Sequence, residues 1–360
     1  MNLLLSPRRL LNTSNFVLET VENRRLLTAL SLAGTSSSDS VVVNMNGDQI
    51  EVTLNGTTTA YPDADYTAVN LDMLEGNDTV EVIANGDNAV SVWGGDGDDT
   101  LRIGTGAAHA EASFSSGKDA DYIYVNPDGS GTAVGRLLLE EGNKLERLQM
   151  IDVRYGGLYE IPQNLGYASL VTDDEELYGT VDINDNSWIL KDGPSGTPGE
   201  WLVRNVLLKG YAGGGWNGGE TSIRSSYCFT SPELDALAYG YSSQIPTRAS
   251  FNGVPISGND VLMAYTLAGD VNFDFKVDFT DILAVAQKYG IQSGGRWVEG
   301  DIDYNGLVDF NDLILFGQNY GKTLPSGPAS KIGVGVVRKV TAATSFANVF
   351  ASQKRVIDSL

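Results

Sequence analysis

The chain has 360 residues, with 24 Lys+Arg against 46 Asp+Glu, a formal net charge of −22, one Cys and one His. That length allows two or three domains, and 42% hydrophobic with 19% charged residues describe a folded protein. Cys228 alone excludes a disulfide framework or a Cys-rich zinc site, His109 alone excludes any two-imidazole site, the acidic balance argues against nucleic acid, and no membrane span is expected.

The charge is unevenly placed. Residues 1–34 hold four Arg and two Glu, and residues 325–360 hold five Lys+Arg and one Asp, so both ends are basic around an acidic body. The string Leu18-Glu19-x-x-Glu22-Asn23-Arg24-Arg25-Leu26-Leu27 resembles the short N-terminal element of many planctomycete exported proteins. That resemblance makes 1–34 a targeting segment and implies an exported protein, extracellular or at the cell surface.

Residues 35–165 read as β structure. Val41–Val43, Ile50-x-Val52-x-Leu54 and Val80-x-Val82 alternate with the period of a half-buried strand, between Asn/Gly/Asp turns. Gly76-Asn77-Asp78-Thr79-Val80 recurs as Gly97-Asp98-Asp99-Thr100-Leu101 and, more loosely, as Asp119-Ala120-Asp121-Tyr122-Ile123. A turn-then-strand unit at this period suits a β-solenoid-like repeat domain, with a β-sandwich of short hairpins as the competing architecture. Glycine supplies positive φ at each corner, and aspartate is expected to bond its own turn. Gly94-Gly95-Asp96-Gly97-Asp98-Asp99-Thr100-Leu101-Arg102 fits the GGxGxDxUx nonapeptide and resembles the calcium unit of RTX-type β-rolls. Those rolls need tandem copies, so the bland reading is a Gly/Asp corner without an ion. His109 reads as a solvated strand or loop residue.

Residues 166–265 read as a second, β-sandwich-like module. Leu177–Ile183, Ser187–Lys191, Trp201–Leu208 and Asp260–Leu267 are the expected strands, broken by the Gly/Pro/Ser-rich stretch 192–199 and by the glycines around Trp216. Trp216 either stacks on a sugar ring or plugs a domain junction.

The chemistry is clearest in residues 266–324. Asp270, Asn272, Asp274, Asp278 and Asp281 occupy positions 1, 3, 5, 9 and 12 of one loop, and Asp301, Asp303, Asn305, Asp309 and Asp312 repeat the pattern 31 residues later. Calcium needs six to eight oxygens, and alternate positions of a turning loop point inward together. Position 7 offers a main-chain carbonyl, from Lys276 and from Leu307. Val277 and Val308, at position 8, are expected to pack the paired loops together. Each loop should run into a helix, with apolar positions Ile282, Leu283, Ala286 and Tyr289, then Leu313, Ile314, Gly317 and Tyr320, stopped at Gly290 and Gly321. Aligning 269–290 with 300–321 gives nine identities in 22 positions. The pair resembles a type I dockerin, a small α domain of two calcium loops, which implies a small C-terminal helical domain holding two Ca2+. The resemblance also implies a cohesin-like partner, but positions 10 and 11 are Phe279-Thr280 and Phe310-Asn311 instead of Ser-Thr. Phe275 stands where the sharp sixth-position turn prefers glycine and Gly306 has it, so strain is expected to make loop 2 the tighter site.

Residues 325–360 form a linker from Pro325 to Ser330 followed by a basic tail. The leading functional reading is a non-enzymatic exported or cell-surface structural or adhesion protein, mainly β, with a calcium-binding attachment domain. No catalytic residue is assigned. Its partner is a cohesin-like or other surface protein, or glycans. The alternative is a glycan-active enzyme or carbohydrate-binding protein anchored through the same loops, with Asp96, Asp98 and Asp99 as candidate acids and Trp216 as the sugar platform.

Overall fold

The computed structural model describes residues 28–324 apart from 87, 107, 140–142, 166, 192–199, 231–234 and 246–248. The N-terminal string at 18–27 and the linker and basic tail of 325–360 lie outside the described residues. Thr28–Ala33, within the expected targeting segment, is a strand.

The protein is mainly β. Eight strands form one sheet, and its neighbours pair in parallel from Thr28–Ala33 through Tyr66–Asp72, Ala89–Asp96, His109–Lys118, Thr132–Leu137, Gly157–Glu160 and Thr180–Asp182 to Ser222–Arg224. A second, eleven-stranded sheet is parallel from Ser40–Asn46 through Thr79–Ala84, Thr100–Ile103, Tyr122–Val125, Leu145–Val153 and Ser169–Leu177 to Ser187–Leu190. From Tyr66 to Leu190 the chain steps from one sheet to the other with each successive strand. Hairpins cannot make this pairing, because parallel neighbours require a crossover. Antiparallel strands close both ends of the second sheet. Gln49–Leu54 and Thr57–Pro62 form a meander with Ser40–Asn46, and Val261–Leu267 lies between Ser187–Leu190 and Asp235–Tyr241. The parallel pairing runs on past residue 165 without interruption.

Period-two patterning explains the core. Thr100–Ile103 and Tyr122–Val125 bury every second residue. Parallel register then stacks Val80, Leu101, Ile123 and Ile151 in one row and Val82, Ile103, Val125 and Val153 in the next. Leu71, Val92 and Phe114 stack opposite them in the other sheet. The backbones pack tightly where strands run into the corners, as at Gly95 near the end of Ala89–Asp96. Gly95 has φ +113, and a Cβ there would sit 1.8 Å from the Leu74 carbonyl oxygen, so no other residue fits without moving a neighbouring turn.

The segment expected as a strand at Trp201–Leu208 is instead part of the helix Glu200–Tyr211. Val203, Val206 and Leu207 are buried, a three-and-four spacing that is helical. Leu177–Ile183 is likewise two strand segments, because the chain turns at Tyr178 and Gly179 between Ser169–Leu177 and Thr180–Asp182. Ser187–Leu190 and Val261–Leu267 form strands close to those expected. Two further helices, Phe279–Lys288 and Phe310–Asn319, follow the last strand, each capped by a loop aspartate.

Candidate metal centre

The two acidic loops share one hydrogen-bond frame. In loop 1 the Asp281 carboxylate accepts from the main-chain N–H of Val271 (3.1 Å), Asn272 (3.3 Å) and Asp278 (2.9 Å). In loop 2 Asp312 accepts from Ile302 (2.7 Å), Asp303 (3.4 Å) and Asp309 (2.8 Å). Position 12 therefore folds back over the loop start and shares a capping box with position 9 at the helix entrance. Position 1 reaches across to position 6: Asp270 Oδ2 accepts from Phe275 N, and Asp301 Oδ2 from Gly306 N, each at 3.0 Å. Side chains at positions 3 and 5 accept from N–H groups two residues on, Asn272 from Asp274 and Asp274 from Lys276, then Asp303 from Asn305 and Asn305 from Leu307.

These turns aim oxygen inward. Asp270, Asp281, Asp301 and Asp312 have no exposed surface. Burial pushes Asp270 and Asp301 up to about 7 and Asp281 to about 6, and raises Asp312. Neighbouring loop carboxylates add to each rise. In loop 2, carboxylate oxygens of Asp301, Asp303 and Asp312 lie within 4.8 Å of one another. Asp301 Oδ1 is buried there with no hydrogen-bond partner. In loop 1 position 3 is an amide, so an all-carboxylate triad at positions 1, 3 and 12 cannot form.

Position 6 differs between the loops. Phe275 takes φ +65 and Gly306 φ +86, so both copies use the left-handed turn. The Phe275 ring packs edge-on to Tyr167, with centroids 5.1 Å apart, and tilts against Phe251 at 6.0 Å. Position 4 is left-handed in both copies too, and its side chains, Phe273 and Tyr304, are buried in the main core. Tyr304 donates its hydroxyl to the Leu237 carbonyl, and its ring lies beside those of Tyr211, Trp216, Tyr239 and Trp297.

The position-8 valines do not share one cluster. Val277 belongs to the main core, whereas Val308 packs with Val271 and Val285 of the first repeat. Each valine instead bonds the chain just beyond the other repeat's helix, Val308 to Gly290 and Ile291, Val277 to Gly321 and Lys322. The buried helix faces also differ from the expected ones. Val285 and Phe316 are buried, whereas Leu283, Tyr289, Ile314 and Tyr320 are exposed. Position 12 must face the loop, so the residue one turn later faces inward with it and the residue two later faces away. Gly290 and Gly321 do end the helices at positive φ.

A second row of acids lies at the corner of the parallel sheets. Asp78 Oδ1 accepts from Asp39 N, Asp99 Oδ1 from Asp78 N and Asp121 Oδ1 from Asp99 N, at 2.6, 2.9 and 2.8 Å. Each aspartate thus bonds the neighbouring turn of the stack, not its own. Oδ2 of Asp78 and of Asp99 is buried without a hydrogen-bond partner. The space beside Asp99 Oδ2 is taken by Gly94, whose Cβ would fall 2.3 Å away. Burial pushes Asp78 to about 6 and Asp99 and Asp121 to about 7. Of the acids named for glycan chemistry, Asp99 is therefore inside the stack, Asp96 pairs with Lys118 at 2.7 Å, and Asp98 accepts from Ala120 N. Trp216 is 2% exposed and offers no platform to a sugar. His109 is exposed at a strand start, bonded to Thr132 and Glu111, and Cys228 is buried with its thiol pushed up by desolvation.

No protein-family model matches the chain, and no curated protein or solved structure matches it. No helix among the described residues is long and apolar enough to cross a membrane.

Proposed function

We propose that this is a non-enzymatic exported or cell-surface protein, structural or adhesive, whose paired loops bind two calcium ions and serve as an attachment module. The observation that carries the calcium reading is the twice-built loop with buried acids at positions 1 and 12, in which Asp301 Oδ1 has no partner inside a carboxylate triad. A hard cation with oxygen ligands matches that donor set: Asp270, Asn272, Asp274, Asp278, Asp281 and the Lys276 carbonyl, then Asp301, Asp303, Asn305, Asp309, Asp312 and the Leu307 carbonyl. The loop-and-helix repeat supports a type I dockerin-like pair. Strands stepping between two parallel sheets at a 21–22-residue spacing of stacked aspartates support a β-solenoid for the body. Attachment to a cohesin-like or other surface protein draws support from Phe279 and Phe310 at position 10, 66% and 64% exposed. Export rests on the resemblance at residues 18–27.

Calcium binding to the folded chain alone stabilises it by RT ln(1+[L]/Kd), about 2.7 kcal/mol per site at a hundredfold excess over Kd. Melting of the full chain in calcium and in EDTA tests this. A clear upward shift with calcium is expected, and superimposable melts with no calorimetric heat would end the reading.

A further inference from the structure

Loop 2 holds a cation of its own. Arg204, from the helix Glu200–Tyr211, reaches loop 2 from about a hundred residues away with its side chain only 17% exposed. Its Nη2 lies 3.4 Å from Asp301 Oδ2 and donates to the Tyr304 carbonyl. Gly306 makes room for it, because a Cβ there would fall 2.9 Å from Arg204 Nη2. The glycine at position 6 therefore serves the approach of the guanidinium as well as the turn.

Loop 1 handles the same oxygen differently. Asp270 Oδ2 receives the neutral hydroxyl of Thr266 at 2.5 Å. The residue 31 positions after Thr266 is Trp297, whose indole N–H instead donates to the Asp270 carbonyl. Loop 1 does carry Lys276, but that side chain is exposed and its charge is screened by solvent. Both loops have four aspartates, though placed differently at positions 3 and 5, and the partner of the buried position-1 acid is the buried charge that loop 2 has and loop 1 lacks.

We propose that Arg204 sets the order of the two cation sites: its guanidinium shares Asp301 with the ion, making loop 2 the weaker site and loop 1 the tighter. This rests on the calcium reading above and reverses the order expected from position 6 alone. Asp301 Oδ1 remains free to meet an ion, so Arg204 opposes the metal without blocking it. A unit charge about 5 Å from a divalent ion, even screened as in water, weakens binding by roughly tenfold. The same contact holds loop 2 together when no metal is bound.

Calcium calorimetry on the full chain tests this, with Arg204→Gln, Asp281→Asn and Asp312→Asn beside the wild type. Two unequal sites are expected in the wild type. Asp281→Asn should remove the tighter and Asp312→Asn the weaker, and Arg204→Gln should tighten the weaker site about tenfold while leaving the other unchanged. Loss of the tighter site in Asp312→Asn, or two unchanged affinities in Arg204→Gln, overturns the proposal while leaving calcium binding intact. If Arg204→Gln does not fold, the order read from the two aspartate variants decides alone. A wild type that binds no calcium fails differently, because it removes the calcium reading itself.

Discussion

Phe275 sets backbone strain against ring burial at a single position. It holds φ +65 in the sixth position of loop 1, a conformation costing a non-glycine residue about 1–2 kcal/mol. Its half-buried ring lies on Tyr167 and Phe251. Removing a fully buried Phe side chain costs about 3–5 kcal/mol, so half of that, about 2 kcal/mol, is the estimate here. The edge-on contact with Tyr167 adds about 1 kcal/mol. Phe275→Gly loses the ring but relieves the turn, for a net loss of about 1–2 kcal/mol. Phe275→Ala loses the ring and keeps the strain, for a loss of about 3 kcal/mol. The expected order is wild type, then Gly, then Ala, the reverse of the usual Ala-over-Gly preference. Urea melts of the full chain at saturating calcium would read it. A Gly variant more stable than the wild type would show that burial does not offset the strain. An Ala variant above the Gly variant would show that no strain is stored there.

Two further outcomes concern the parallel stack. Gly95→Ala forces a Cβ to within 1.8 Å of the Leu74 carbonyl oxygen at φ +113, so a loss of several kcal/mol in a chemical melt is expected; a loss under about 1 kcal/mol would mean the corner is not tight. Burial raises Asp78 to about 6 and Asp99 and Asp121 to about 7, so between pH 4 and 7 the folded chain keeps protons that the unfolded chain releases. Stability from this row is therefore fully present below about pH 4 and falls as pH rises through 7, by at most about 1.4 kcal/mol per unit for each group. Asp99→Asn should flatten that fall between pH 4 and 7, and melts in which variant and wild type keep the same pH slope would refute it.

The repeat at Asp78, Asp99 and Asp121 and the spacing of the twelve-residue loops were both legible, because each is a side-chain pattern imposed by backbone geometry at fixed distance. The period-two run in Val80-x-Val82 marked a strand for the same reason. Trp201–Leu208 was not legible, because its apolar residues fit a short strand as readily as a helix until Val203, Val206 and Leu207 are seen to face one way. The outward face of Leu283 and Ile314 was missed because the helix phase is set by the acid at position 12 and not by the hydrophobic stripe. Arg204 was beyond reach of any local pattern. Nothing around it in sequence announces a partner about a hundred residues on.

The loops do not sit apart from the rest of the protein. Position 4 of each copy sends an aromatic side chain into the main core, Phe273 against Phe251 and Tyr304 among Tyr211, Trp216, Tyr239 and Trp297. Both ring-bearing residues have left-handed backbone, and the oxygen-bearing side chains at positions 1, 3 and 5 are arranged around the same turns. A cation drawing positions 1, 3 and 5 together would therefore fix the turns that hold the aromatic anchors. Loop 1 is tied in addition through the Trp297 indole on the Asp270 carbonyl, and loop 2 through Arg204. Residues 266–324 taken alone would expose these rings to water, so a fragment reports on lost packing as well as on metal. In the whole chain an ion bound at the loops and the β core would stabilise the same folded state. By linkage, any ion bound at the loops must raise the unfolding free energy of strands that never touch it, provided the loops and sheets unfold together.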